Sequence, residues 1–233
     1  MKTEFAYQPA RQIHDSVWEI RGEWKNKLAR RMTIVRLGDG RLFIHSSIRL
    51  KPTDLAWLTS LGKPAFIVGP NTYHCSDAGW MAEQFPEATL FVPRAKFKVF
   101  SDQGLHPKDV NTEFPAAIVG ELKCIPMQGT KMDEAAFVHI PSRTLILCDL
   151  AFNMPDIFKG LGKLFMRWNT GGQFGPTRLT KLVFAKNRKA LVASYQELLQ
   201  EDFDRVIVNH GDVLESGGKE KLRAGVQRIF GEA

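Results

Sequence analysis

The sequence predicts a layered α/β or α+β sandwich, and three observations carry that prediction. Strand-like runs open the chain as a hairpin; strand, loop, helix and strand then alternate; and a second meander is followed by amphipathic helices around one more apolar strand. No low-complexity segment, repeat or Ser/Gly/Pro linker interrupts them, so a single domain over residues 1–233 is expected. A chain of 233 residues can bury a core without staples.

The elements justify themselves in chain order. Val17–Ile20, Met32–Leu37 and Leu42–Ser46 read as strands, the last two flanking Gly38-Asp39-Gly40, a turn that tolerates positive φ. Thr53 is placed to cap a helix running through Leu61, with Gly62 ending it, and Pro64–Gly69 is a continuous apolar run that reads as a buried strand. A polar loop, Pro70–Asp77, precedes a helix near Ala78–Gln84, a strand Thr89–Val92 and a basic helix around Arg94–Phe100. Leu122–Met127, Ala135–Ile140 and Thr144–Asp149 form the second set of strands. Asn187–Gln200 and Lys219–Phe230 carry apolar residues at helical spacing, and Arg205–Asn209 lies between them as a short strand. Asn153–Arg178, with Phe152 just before it, mixes Phe158, Leu161, Leu164, Phe165, Met166, Trp168 and Phe174 with Gly160, Gly162, Gly171, Gly172 and Gly175. It reads as a glycine-kinked helix packed on the core, the alternative being an apolar lid over a site.

Composition bounds the partners. Hydrophobic residues make up 44% and charged residues 24%, ordinary globular values that exclude a disordered tail protein, a collagen-like fibre and a membrane bundle. Cys75, Cys124 and Cys148 are too few and too scattered for a disulfide framework, and no signal-peptide succession opens the sequence, so a cytoplasmic location is expected. The net charge of +7 raises the question of an acidic partner. The basic residues fall in short clusters, Lys25–Arg31, Arg94–Lys98, Lys181–Lys189 and Lys219–Arg223, each broken by apolar residues as on solvated faces. The charge alone leaves nucleic acid open, but no zinc-finger, helix-turn-helix or aromatic RNP signature accompanies it, and a small-molecule substrate or ligand is the expected partner.

Chemistry is expected where loops leave the carboxyl ends of strands. Three places qualify. The loop after Pro64–Gly69 brings Asn71, His74, Cys75 and Asp77 within seven residues; Leu145–Asp149 is an apolar strand ending in a carboxylate; Val206–Asp212 is an apolar strand running into His210-Gly211-Asp212. A carboxylate ending an apolar strand is costly to bury unpaired, so Asp149 should meet a metal, a backbone N–H or a cation. Gly-x-Ser-x-Gly, Gly-x-x-x-x-Gly-Lys-Ser/Thr and Gly-x-Gly-x-x-Gly are all absent, which removes the anchors for hydrolase-triad, NTPase and dinucleotide readings. Cys75 follows His74 directly, and neighbours on an extended segment face opposite ways, so His74 is poorly placed to activate it as a nucleophile. His14, His45, His106 and His139 read as surface or core histidines, and Cys124 and Cys148 as inert buried thiols.

A His-bearing loop after an apolar strand, a strand ending in Asp and a last strand ending in His-Gly, in this order, resemble the metallo-β-lactamase superfamily. The resemblance spans roughly Val17–Asp212. It implies a four-layer αββα sandwich with Asp149 where the family's metal-bridging aspartate stands and His210 where its last histidine ligand stands. The family's His-x-His-x-Asp-His motif is not intact: one register places Asn71, Tyr73, Cys75 and Ser76 on its ligand positions, the next Thr72, His74, Ser76 and Asp77. The middle motif, Pro-Gly-His-Thr, is matched by Met127-Gln128-Gly129-Thr130 without a histidine. Pro70-Asn71-Thr72-Tyr73-His74 and Ser142-Arg143-Thr144-Leu145-Ile146, with Asn153 beyond, resemble a branch of that superfamily to which no settled activity attaches.

A di-zinc site needs about six ligands, and the chain offers at most His74, Cys75, Asp77, Asp149 and His210. Two metals are therefore not expected; one zinc or other divalent transition metal, held by three protein ligands with a position open for water, is. Two functional readings stand at this point. The first is a mononuclear metal-dependent hydrolase of unassigned substrate, in which Asp149, His210 and Asp77 carry the chemistry. The second is a non-catalytic protein of the same fold that binds a small molecule or a partner without metal.

Overall fold

The computed structural model describes residues 7–22, 29–115, 117–118, 120–154 and 159–231. Two sheets pack face to face. The first has seven strands in chain order: β1 (Arg11–His14), β2 (Val17–Arg21), β3 (Arg31–Arg36), β4 (Arg41–His45), β5 (Lys63–Val68), β6 (Thr89–Val92) and β7 (Lys108–Asp109). Pairing is antiparallel up to β4 and parallel from β4 onward. The second sheet runs β12 (Arg205–Ile207), β11 (Thr144–Ile146), β10 (Ala135–His139), β9 (Leu122–Pro126) and β8 (Ala117–Ile118), with only β11 and β12 parallel.

Strand alternation explains why so many strands read as unbroken apolar runs. On β4, Phe43 points between the sheets while Leu42 and Ile44 point outward to the helices α1 (Pro52–Leu61), α2 (Ala78–Gln84) and α3 (Phe97–Ser101). On β11 and β12, Ile146 and Ile207 face the first sheet, while Leu145, Val206 and, just past β12, Val208 pack against α5 (Arg188–Leu198) and α6 (Gly218–Phe230). Both faces of both sheets are covered, giving the αββα order.

Several expected boundaries move for physical reasons. α1 starts at Pro52, whose missing N–H costs nothing at the first helical position, and Thr53 is not its cap. Asn187 does cap α5, accepting from the Ala190 N–H at 3.2 Å. Past β11 the Leu147 N–H still bonds the Ile207 carbonyl at 2.9 Å, and the ladder ends there because the donors from Cys148 onward turn to a side chain, as described below. The short strands β1, β7 and β8 carry no alternation long enough to be read in sequence. Arg94–Phe100 divides into a 3-10 turn and α3.

Two expectations are corrected. Arg31, the last residue of the basic run Lys25–Arg31, does not lie on a solvated face, being 2% exposed; residues 23–28 lie outside the described residues. Its guanidinium donates to Glu19, to the Val208 carbonyl and, at 2.6 Å, to the Gly211 carbonyl. The glycine- and aromatic-rich segment forms α4 (Gly160–Thr170), which does not pack its apolar side on the core; Leu161, Leu164, Phe165 and Trp168 are exposed, while Asn169 and Thr170 are buried. Phe158 lies outside the described residues.

Candidate metal centre

The loops after β5, β11 and β12 converge. After β5, the buried Asn71 accepts from the backbone N–H groups of Tyr73 and His74, each at 2.9 Å, and this Asx turn aims the His74 ring inward. Its amide donates on the other side to Glu134 and to Asp149 Oδ2, each at 2.9 Å. After β11, the Glu134 carboxylate gathers the N–H groups of Cys148 at 2.8 Å, Asp149 at 2.9 Å and Leu150 at 3.3 Å. Those donors leave the sheet ladder, the strand ends, and Asp149 swings into the cluster. After β12, Gly211 adopts φ +105°, where a Cβ would stand 2.0 Å from the Asn153 carbonyl oxygen. Only glycine lets His210 leave the strand that way.

His74 Nε2 lies 3.0 Å from Asp149 Oδ2, His210 Nε2 lies 3.4 Å from Asp149 Oδ1, and the two Nε2 atoms are 3.3 Å apart. Two ligand atoms on one tetrahedral zinc, each about 2.0–2.1 Å from it, stand about 3.3 Å from each other. His210 Nδ1 is 3.1 Å from the Ala29 carbonyl, which only accepts, so Nδ1 carries a proton and Nε2 is the ring nitrogen turned to Asp149. Phe152 stacks on that ring at 5.8 Å and 8°. Asp149 Oδ1 is buried and has no hydrogen-bond partner among the described residues. Asp149 Oδ1 and the two Nε2 atoms thus converge on one point, which a cation, whether a proton shared with an imidazole or a metal ion, can occupy.

Charge is arranged to match. Burial works to raise the Asp149 carboxyl, but the charges and hydrogen bonds of His74 and His210 outweigh it and hold it well below the usual carboxylate range. Burial and then the charge of Asp149 push Glu134 upward. Asp149 thus holds its negative charge more firmly than Glu134 does.

The structure brings together His74, Asp149 and His210 of the sequence candidates, and leaves Cys75 and Asp77 outside. Asp77 is engaged by Arg30 and by Arg49 Nε at 3.2 Å. The Cys75 thiol points at the Thr72 carbonyl and packs between the first sheet and its helices. The sulfur that does reach the cluster is that of Cys148, within 4.8 Å of donor atoms of His74 and Asp149; burial, then the charges of Asp149 and Glu134, keep this thiol well above its ordinary pKa. Gly129, in the middle-motif segment, spends its carbonyl on the N–H groups of Lys186 and Asn187. Sequence reasoning missed Glu134, although a carboxylate heading an apolar strand is the same signal that singled out Asp149. It also missed Asn209, whose amide sits 2.9 Å from His74 Nδ1 and 3.3 Å from His210 Nε2.

Comparison with solved structures settles the architecture. A metallo-β-lactamase from Pontibacter korlensis superposes with a TM-score of 0.63 at 14% identity, covering 97% of this chain and 99% of the other. The FIM-1 metallo-β-lactamase from Pseudomonas aeruginosa, in its mono-zinc form, gives 0.62 at 13% identity over 97% and 96%. The chain has the metallo-β-lactamase fold. A flavodiiron core, Flv1 from Synechocystis, shares it with a TM-score of 0.67 at 13% identity, over 97% of this chain and 61% of that one. Neither protein-family models nor curated proteins give a match. On this metallo-β-lactamase fold the cluster opens into a cavity of about 380 Å³. Tyr73, Phe152, Phe165, Met166, Leu179 and Phe184 supply its apolar wall, Asn169, Thr177 and Thr180 add polar atoms, and no Lys or Arg among the described residues lines it.

Proposed function

We propose that the chain is a mononuclear metal-dependent hydrolase in which His74, Asp149 and His210 hold one zinc or other divalent transition metal ion. The observation that carries this reading is the convergence of His74 Nε2, His210 Nε2 and the Asp149 carboxylate at 3.0–3.4 Å, with Asp149 Oδ1 buried and without a hydrogen-bond partner among the described residues. The mono-zinc form of FIM-1 supports a single ion on this fold. Such an ion lowers the pKa of a bound water toward neutrality and polarises a substrate carbonyl.

The chain's own groups do the positioning. The Ala29 carbonyl fixes the His210 tautomer, Phe152 fixes its plane, and Glu134 fixes the backbone that presents Asp149. Asp77 is left without a part in the chemistry, its carboxylate being held by Arg30 and Arg49. The cavity selects for a neutral substrate with an apolar group, an aromatic or acyl ester for example, because its wall offers an anion no cation. Hydrolysis assays with zinc and with a chelator, on neutral aromatic esters and on an anionic phosphodiester, test this. Zinc-dependent ester turnover with little phosphodiester turnover is expected; turnover indifferent to the chelator would overturn the reading.

One observation favours the non-catalytic alternative. The Asn209 amide donates into the cluster beside both imidazoles, so hydrogen bonds alone satisfy much of it. In that case the cavity binds its ligand equally well with zinc and with chelator, and no ester is turned over.

A further inference from the structure

Helix α4 is inside out. Leu161, Leu164, Phe165 and Trp168 fall at i, i+3, i+4 and i+7, one face of a helix, and are 85%, 66%, 48% and 45% exposed. The residues turned to the protein are Met166, Asn169 and Thr170. The neighbouring turn Thr180–Phe184, which walls the same cavity, adds Leu182 and Val183 to the exposed apolar surface, 56% and 46% exposed. An amphipathic helix that served only the core would present the opposite side.

Charge makes this face distinctive a second time. Between Ile157 and Gln196 the sequence has eight Lys and Arg and no Asp or Glu. The remaining residues hold 24 Lys and Arg against all 25 Asp and Glu, so this stretch carries +8 and the rest of the chain −1. Lys159, Lys163 and Arg167 belong to α4 and its N-terminal flank. Arg178 lies over the Trp168 ring at 5.5 Å and, like Lys181, bonds a backbone carbonyl rather than a carboxylate.

We propose that α4 and the Thr180–Phe184 turn form a face that docks on an anionic lipid bilayer. Leucine, phenylalanine and tryptophan enter the boundary between headgroups and acyl chains, and the flanking cations pair with the anionic headgroups. The mode is interfacial: no helix among the described residues is long and apolar enough to cross a membrane. A nucleic-acid face would use the cations but gain nothing from Leu161 and Leu164 in water. Phe165 belongs both to the stripe and to the cavity wall, so docking sets the cavity mouth at the lipid surface. That an apolar substrate enters there rests on the hydrolase reading; the docking does not.

The test is co-sedimentation of the full untagged chain with vesicles of phosphatidylcholine alone and of phosphatidylcholine mixed with phosphatidylserine. Binding to the mixed vesicles, weakening as salt is added, is expected. The double variant Leu161→Ser/Leu164→Ser, altered only at exposed positions, should melt as the wild type does and bind these vesicles about tenfold or more weakly. Absence of binding to the anionic vesicles, or equal binding by the variant, would overturn the proposal. So would a wild-type dimer in sedimentation velocity that the variant converts to monomer without vesicle binding, since a second copy would then cover the stripe. None of these readouts depends on metal or turnover, so the outcome is separable from that of the hydrolase assay.

Discussion

Replacing Arg31 by leucine removes three buried hydrogen bonds at once. The guanidinium serves Glu19, the Val208 carbonyl and the Gly211 carbonyl, and so ties β2 and β3 to the loop that presents His210. Breaking a buried ion pair by deleting one partner costs about 3–5 kcal/mol. Glu19 retains Arg11 at 2.6 Å, which relieves part of that cost, while two carbonyls lose a charged donor, which adds to it. The sum stays near 3–5 kcal/mol, or a fall in Tm of about 6–20 °C for a chain of this size. Urea and thermal melts of Arg31→Leu measure it, with Arg11→Gln as control, since Arg11 is half exposed and its loss should cost less than about 1 kcal/mol. If Arg31→Leu melted within 1 °C of the wild type, the view that this residue pins the His210 loop would be refuted.

Further outcomes follow from other residues. Gly211→Ala places a Cβ 2.0 Å from a backbone oxygen at φ +105°, so it should cost about 3 kcal/mol or more by urea melts, and a loss under about 1 kcal/mol would contradict the geometry. Burial and then the charge of His74 push the His45 pKa down to about 3 from an ordinary 6.5. Its folded pKa is depressed, so its contribution is fully present above pH 6.5 and is lost as pH falls toward 3, by up to about 1.4 kcal/mol per unit; His45→Leu should flatten that slope in melts at stepwise lower pH. Asp77→Asn should leave zinc affinity within about twofold of wild type in a titration, because its carboxylate binds arginines rather than the cluster.

The layered fold was legible because both faces of the central strands are buried: runs such as Pro64–Gly69 have no polar side to mislead the eye. Asp149 and His210 were legible for a related reason, since a charged group ending such a run must have a partner. What sequence could not resolve was which side chains of the first loop turn inward. Asn71 decides that through its Asx turn, aiming His74 in while Asp77 meets Arg30 and Arg49 from distant parts of the chain. Glu134 drew no notice and Arg31 read only as the end of a basic cluster, because the backbone groups they serve are brought near only by the fold. The outward stripe of α4 follows the same helical spacing as a core-facing one, and periodicity alone cannot say which way a helix faces.

One cation is proposed to sit between His74, Asp149 and His210. Elemental analysis and zinc titration of the full, untagged chain, purified without chelator, measure it directly, with Asp149→Asn alongside. One zinc per wild-type chain, accompanied by a rise in Tm, and the loss of both in the variant are expected. A wild-type chain that takes up no transition metal, or two tightly held ions, or an Asp149→Asn variant that binds zinc as the wild type does, would contradict the proposal.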